Sequence, residues 1–95
     1  MKNYEIMFIV KTTITEDEVK AVSKKFQEVL TNDGAEIIEF VEMGQRDLAY
    51  EIKKLKTGYY FVINCNASDN TVKEFDRLAL IDSNIIRHLI INKEK

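Results

Sequence analysis

Residues 4–34 read YEIMFIVKTTITEDEVKAVSKKFQEVLTNDG, and a change of period inside this stretch decides the fold. Tyr4 to Val10 is a short run of apolar and β-favouring residues, which predicts a strand. Beyond Lys11-Thr12-Thr13-Ile14 the spacing turns helical, with Val19, Val22, Phe26, Val29 and Leu30 falling on one face. Thr15-Glu16-Asp17-Glu18 has the form of a capping box, Thr15 serving as N-cap and Glu18 reaching back. Asn32-Asp33-Gly34 ends the helix.

Outward from that βα unit the alternation continues. Ala35 to about Ile52 favours extended chain through Ile37, Ile38, Phe40, Val41, Leu48, Tyr50 and Ile52. The pattern slips at Met43-Gly44-Gln45, where the glycine predicts a bulge or bend in one long strand. Lys53 to Gly58 reads as a polar hairpin tip, and Tyr59 to Cys65 as a third strand. Ser68-Asp69-Asn70 offers N-caps for a second helix carrying Val72, Phe75, Leu78 and Ala79. Asp82-Ser83-Asn84 turns the chain into a last strand, Ile85 to Ile91. The order βαββαβ predicts an α+β, ferredoxin-like fold, a four-stranded antiparallel sheet with both helices on one face. Residues 1–95 are expected to form a single such domain, without internal repeat or linker.

Strand alternation assigns faces. Ile6, Phe8 and Val10 should meet the helices together with Phe61, Ile63 and Cys65. The opposite face would carry Met7, Ile9, Tyr60, Val62, Leu89 and Ile91, which is apolar surface that no helix covers. Two readings stand: a partner site, or a face shielded by charged stems and the long hairpin.

Composition limits the chemistry. The chain is 45% apolar and 32% charged, an ordinary globular balance. No apolar run approaches the roughly 20 residues of a membrane span. Glu5 and Lys11 bracket only five apolar residues, so no secretory signal is expected at the N-terminus. Cys65 and His88 are the only cysteine and histidine. Neither a disulfide nor a metal site of the usual ligand count is expected from them, and a reducing cytoplasm is the natural setting. Gly34, Gly44 and Gly58 are isolated, which leaves no phosphate-cradling loop. No carboxylate pair stands out for acid–base work.

The basic residues are more suggestive. Arg46 follows the Gly44 bend, Lys53, Lys54 and Lys56 crowd the hairpin, and Arg87 and His88 sit inside the last strand. An arginine in the middle of an apolar strand needs water, a carboxylate or a phosphate. Contact with RNA phosphate and an ion pair with Glu5 or Glu51 are both open readings. Yet the net charge is -2, so a chain that held RNA would need its cations on one face, or a basic partner.

Three blocks carry a family resemblance: Met1-Lys2-Asn3-Tyr4-Glu5-Ile6-Met7-Phe8-Ile9-Val10, then Gly44 to Lys54 with Lys56-Thr57-Gly58-Tyr59-Tyr60, then Asn84-Ile85-Ile86-Arg87-His88-Leu89. In order and spacing they resemble the bacterial small-subunit ribosomal protein S six (S6) family across essentially the whole chain. The resemblance implies a noncatalytic protein of the ribosome, without cofactor, membrane or small-molecule substrate. It implies pairing with the small basic ribosomal protein S eighteen (S18) and binding to the central domain of small-subunit ribosomal RNA as the platform assembles. Carried onto matching positions, Lys2, Arg46, Lys54, Lys56, Arg87 and His88 would be RNA-binding, and Tyr4, Met7, Tyr50, Tyr60 and Val62 would meet the partner. The chain departs from the family at Gln45 and Asp47, where consecutive basic residues are common, and at Met43, where an aromatic is common. Two other classes use this fold. A regulatory domain would gain thermal stability from a small ligand without RNA. An acyl- or phosphoryl-hydrolysing enzyme would need a cradle of backbone N–H groups, for which Lys11-Thr12-Thr13-Ile14 lacks glycine.

Overall fold

Strand β1 runs Lys2–Lys11, α1 Glu16–Asn32, β2 Glu36–Ile52, β3 Leu55–Ala67, α2 Asp69–Ile81 and β4 Ile85–Asn92. The structure is a computed structural model and describes residues 1–52 and 54–94. The four strands form one antiparallel sheet in the order β2-β3-β1-β4, so the first strand lies inside it between the third and the last. This is the expected ferredoxin-like α+β arrangement.

Local chemistry sets the helix ends. Thr15 Oγ1 accepts from the Glu18 N–H at 3.2 Å and starts α1. Its hydroxyl also donates to the Glu18 carboxylate at 3.1 Å, so the return bond of the box goes to the side chain. Gly34, at φ +89, closes the helix: Ala35 N–H bonds to Leu30 O and Gly34 N–H to Thr31 O, the paired bonds of a Schellman motif. Ser68 caps α2 by accepting from Thr71 N–H at 3.2 Å. The buried Thr71 hydroxyl then donates to Asp33 Oδ2 at 2.7 Å, which ties the start of α2 to the end of α1.

The core lies between sheet and helices. Ile6, Phe8, Val10, Phe61, Ile63 and Cys65 face Val19, Val22, Phe26 and Leu30 of α1 and Val72, Phe75 and Ala79 of α2. Phe8 is its hub, with ring centroids 5.8, 5.2 and 6.1 Å from Phe26, Phe61 and Phe75. Truncating a ring at such a site costs about 3–5 kcal/mol. The helix-facing parity of β1 and β3 is therefore the one read from the sequence.

Two features of the β2–β3 hairpin depart from expectation or refine it. The predicted bulge is present: Glu42 pairs with Phe61 and Gly44 with Tyr60, leaving Met43 unpaired and Gly44 at φ +82. The predicted tip, however, is too long. Ile52 pairs with Leu55, and Leu55 to Gly58 already belong to β3. Lys53 lies outside the described residues, and Lys54 takes the left-handed conformation at φ 67. Gly58 is thus a strand residue and not a turn residue. A Cβ there would lie 2.3 Å from Ile9 Cγ2, so the glycine leaves room for the Ile9 side chain.

Candidate RNA and partner interface

Strand register lays the helix-free face out in rows across the sheet. One row is wholly apolar: Val41, Val62, Met7 and Leu89 stand side by side on four successive strands. The row toward the β1 N-terminus is Glu39, Asn64, Glu5 and Ile91. Asn64 donates to Glu39 Oε1 at 3.1 Å, and Lys93 lies 3.1 Å from Asn64 Oδ1 and 3.9 Å from Glu5. The row on the other side is Gly44, Tyr60, Ile9 and Arg87, followed by Arg46, Gly58 and Lys11. An apolar stripe therefore lies between a mixed acidic end and a basic end.

The face is covered over one part and exposed over the other. The last turn of β2 folds over the basic end, where Leu48, Tyr50 and Ile52 line a cleft with Ile9, Tyr60 and Arg87. That arm leaves Ile9 only 3% exposed although no helix covers it. Away from the arm, Leu89 and Ile91 remain 46% and 43% exposed, and Met7, Tyr60 and Val62 are half-buried. Tyr50, at 61% exposure, accepts a hydrogen bond from Arg87 Nη1. Among the described residues Arg87 has no ion pair with Glu5 or Glu51, so its charge is open to solvent.

The residues expected to act together separate into three groups. Arg46, Lys54, Lys56 and Arg87 are all exposed and share the hairpin end of the sheet. Arg46 is steadied by its Nε donating to Met43 O at 3.2 Å. Lys11, half-buried in the same region, is a cation the sequence reading passed over; its position on the odd-numbered face of β1 was the available signal. Lys2 sits apart, near the other end of β1, with Nζ 3.3 Å from Asp69 Oδ2. Seven residue steps along the strand separate it from Ile9, on the order of 23 Å at the usual rise.

His88 and Tyr4 require correction. His88 pairs in register with Phe8, which puts it on the helix side of the sheet. Its side chain is only 12% exposed and Nε2 lies 2.6 Å from Asp76 Oδ1 of α2. It cannot share a surface with Arg87, because neighbours in a strand point to opposite faces. Tyr4 falls on the same inner parity as Ile6 and Phe8; it is buried, and its hydroxyl donates to Asp69 Oδ1. It ties β1 to α2 and does not reach the open face. That bond, with the Lys2 ammonium, holds the Asp69 carboxyl below its ordinary value of 3.8, and the same bond raises the Tyr4 phenol. Burial pushes the Cys65 thiol up, which is the environment of a small core residue and not of a thiolate nucleophile.

Comparison with known proteins bears on the family and the fold. The family model described as Ribosomal protein S6 matches residues 3–92. The crystal structure of 30S ribosomal protein S6 from Thermotoga maritima is similar with a TM-score of 0.93. The two are 27% identical, and the match covers 97% of this chain and 87% of that one.

Proposed function

We propose, from the premise that this chain belongs to the ribosomal protein S6 family, that it pairs with ribosomal protein S18 and that the pair binds the central domain of small-subunit ribosomal RNA as the platform assembles. Family membership itself makes the chain a structural component of the small ribosomal subunit, not an enzyme, with ribosomal RNA and ribosomal proteins as its partners. The finer reading rests on one observation, the apolar row Val41–Val62–Met7–Leu89 running directly into the exposed cations of the hairpin end.

Each half of that surface suits a different partner. The apolar row, with Tyr50, Tyr60 and the half-buried Met7 and Val62, is what a protein partner would cover. Arg46, Lys54, Lys56 and Arg87 are what phosphates would meet, and such contacts position a protein on folded RNA by shape. At a net charge of -2 the chain is poorly suited to bind RNA alone, and a cationic partner completes the charge. His88 and Tyr4 leave this reading, and Lys2 belongs to it only if the RNA extends to the far end of β1. The working location is the ribosome in the cytoplasm. No helix among the described residues is long and apolar enough to cross a membrane.

The test is binding to a central-domain RNA fragment across a salt series, with and without S18. The expected result is partner-dependent binding that falls steeply with salt, weakened in Arg87→Ala while the thermal melt stays unchanged. RNA binding that ignores both partner and salt would overturn the composite site.

A further inference from the structure

Tyr50 belongs to one edge strand of the sheet and bonds to the other. β2 and β4 are the outer strands, with β3 and β1 between them, a span on the order of 14 Å at the usual spacing. The last stretch of β2 makes the crossing possible. Asp47 pairs with Thr57 and Ile52 with Leu55, so Leu48 to Glu51 stand opposite the single residue Lys56. Extra residues of this kind leave the ladder and re-aim a side chain. Leu48 and Ile52 line the cleft with Ile9 and Tyr60, and the Tyr50 hydroxyl accepts from Arg87 Nη1.

The nature of that acceptor matters. A carboxylate would also hold an arginine, but it would cancel the charge that a phosphate needs to meet. Glu51 is the next residue along the arm, yet among the described residues Arg87 makes no ion pair. The uncharged phenol engages one N–H of the guanidinium and leaves the charge whole, with the other donors of that plane free for a ligand. Both side chains are exposed, and a single hydrogen bond adds only modestly to stability. Its larger effect is on where the guanidinium points. A side chain ordered before binding spares the complex the cost of ordering it.

We infer that the Tyr50 hydroxyl is a positioning group for Arg87, holding its guanidinium at the hairpin end of the open face for RNA phosphate. This role rests on the RNA reading of Arg87 given above. It belongs to the oxygen of the tyrosine, whereas the apolar surface offered to a protein partner belongs to the ring.

RNA affinity of the pair with S18, at saturating S18 and across a salt series, is measured for Tyr50→Phe, Arg87→Ala and the double variant, with thermal melts of the free chains. Tyr50→Phe should bind roughly three- to tenfold more weakly than the parent, with the same salt dependence, because the charge remains and only its placement is lost. Arg87→Ala should bind more weakly still, and its salt dependence should flatten by about one phosphate contact. In the double variant the tyrosine change should add nothing to the arginine change. Unchanged binding in Tyr50→Phe, beside a loss in Arg87→Ala, overturns the positioning role and leaves the RNA reading standing. Unchanged binding in Arg87→Ala overturns the RNA reading of that residue and the positioning role with it. A Tyr50→Phe loss that persists in the Arg87→Ala background, or that tracks a fall in melting temperature, assigns the hydroxyl to the fold or to the partner contact and overturns the positioning role too.

Discussion

Gly58 and Gly44 look alike in the sequence and do opposite work. A methyl group on Gly58 would meet Ile9 Cγ2 at 2.3 Å, with Ile86 and Leu48 at ordinary contact distance, so Gly58→Ala should cost about 1–3 kcal/mol through overpacking. Gly44 has nothing within 4 Å of the added carbon but sits at φ +82, so Gly44→Ala should cost only its backbone strain, about 1–2 kcal/mol. Urea denaturation of both variants distinguishes the causes. Only Gly58→Ala should be partly rescued by trimming its neighbour with Ile9→Val. The Tyr4–Asp69 bond gives a prediction in pH. Because the folded Asp69 carboxyl lies below its ordinary value of 3.8, its stabilising contribution is present above that value and is lost as pH falls through the depressed one. The melting-temperature difference between the parent and Tyr4→Phe should therefore be steady near neutral pH and shrink below about pH 4. A difference that stays constant into acid would remove the linkage.

At the scale of elements, α1 is specified most completely by its own residues. Its cap, its apolar stripe and its Schellman stop all agree, and only the direction of Glu18's return bond differs from expectation. Thr15→Ala should lower stability by about 1 kcal/mol, measured by denaturant melt, with the fold unchanged. A loss much larger than that would mean the cap does more than satisfy the first turn. β2 stands at the other extreme. Its glycine signalled the bulge at Met43, but nothing local signalled that its last residues would bend back over the sheet. There Leu48 and Ile52 line one cleft with Ile9 and Tyr60, residues far apart in the chain. The hairpin tip was misread for a related reason. Lysines around a glycine look like a turn, whereas Gly58 lies within β3 beside the Ile9 side chain, and the left-handed residue is Lys54.

For the whole molecule, the consequence is a sheet with one face committed to its core and the other divided between a self-made cover and an open apolar row. Val62→Glu places a charge in the middle of that row on a half-buried side chain. It should abolish the proposed pairing with S18 in a pull-down while the isolated domain still folds by circular dichroism; intact pairing would move the interface elsewhere. The sequence by itself determined the order of elements, the inner parity of β1 and β3, the helix caps and the family, because these depend on periodicity and on contacts within a few residues. It also contained, unused, the parity that puts His88 and Tyr4 on the inner face and Lys11 on the outer. Only the tertiary structure decided which cations gather at one end, that Lys2 pairs with Asp69 at the far end of β1, and that the β2 arm covers Ile9 while leaving Leu89 open. Those outcomes follow from strand register and chain bending, which are fixed by packing between distant segments and leave no local pattern to read.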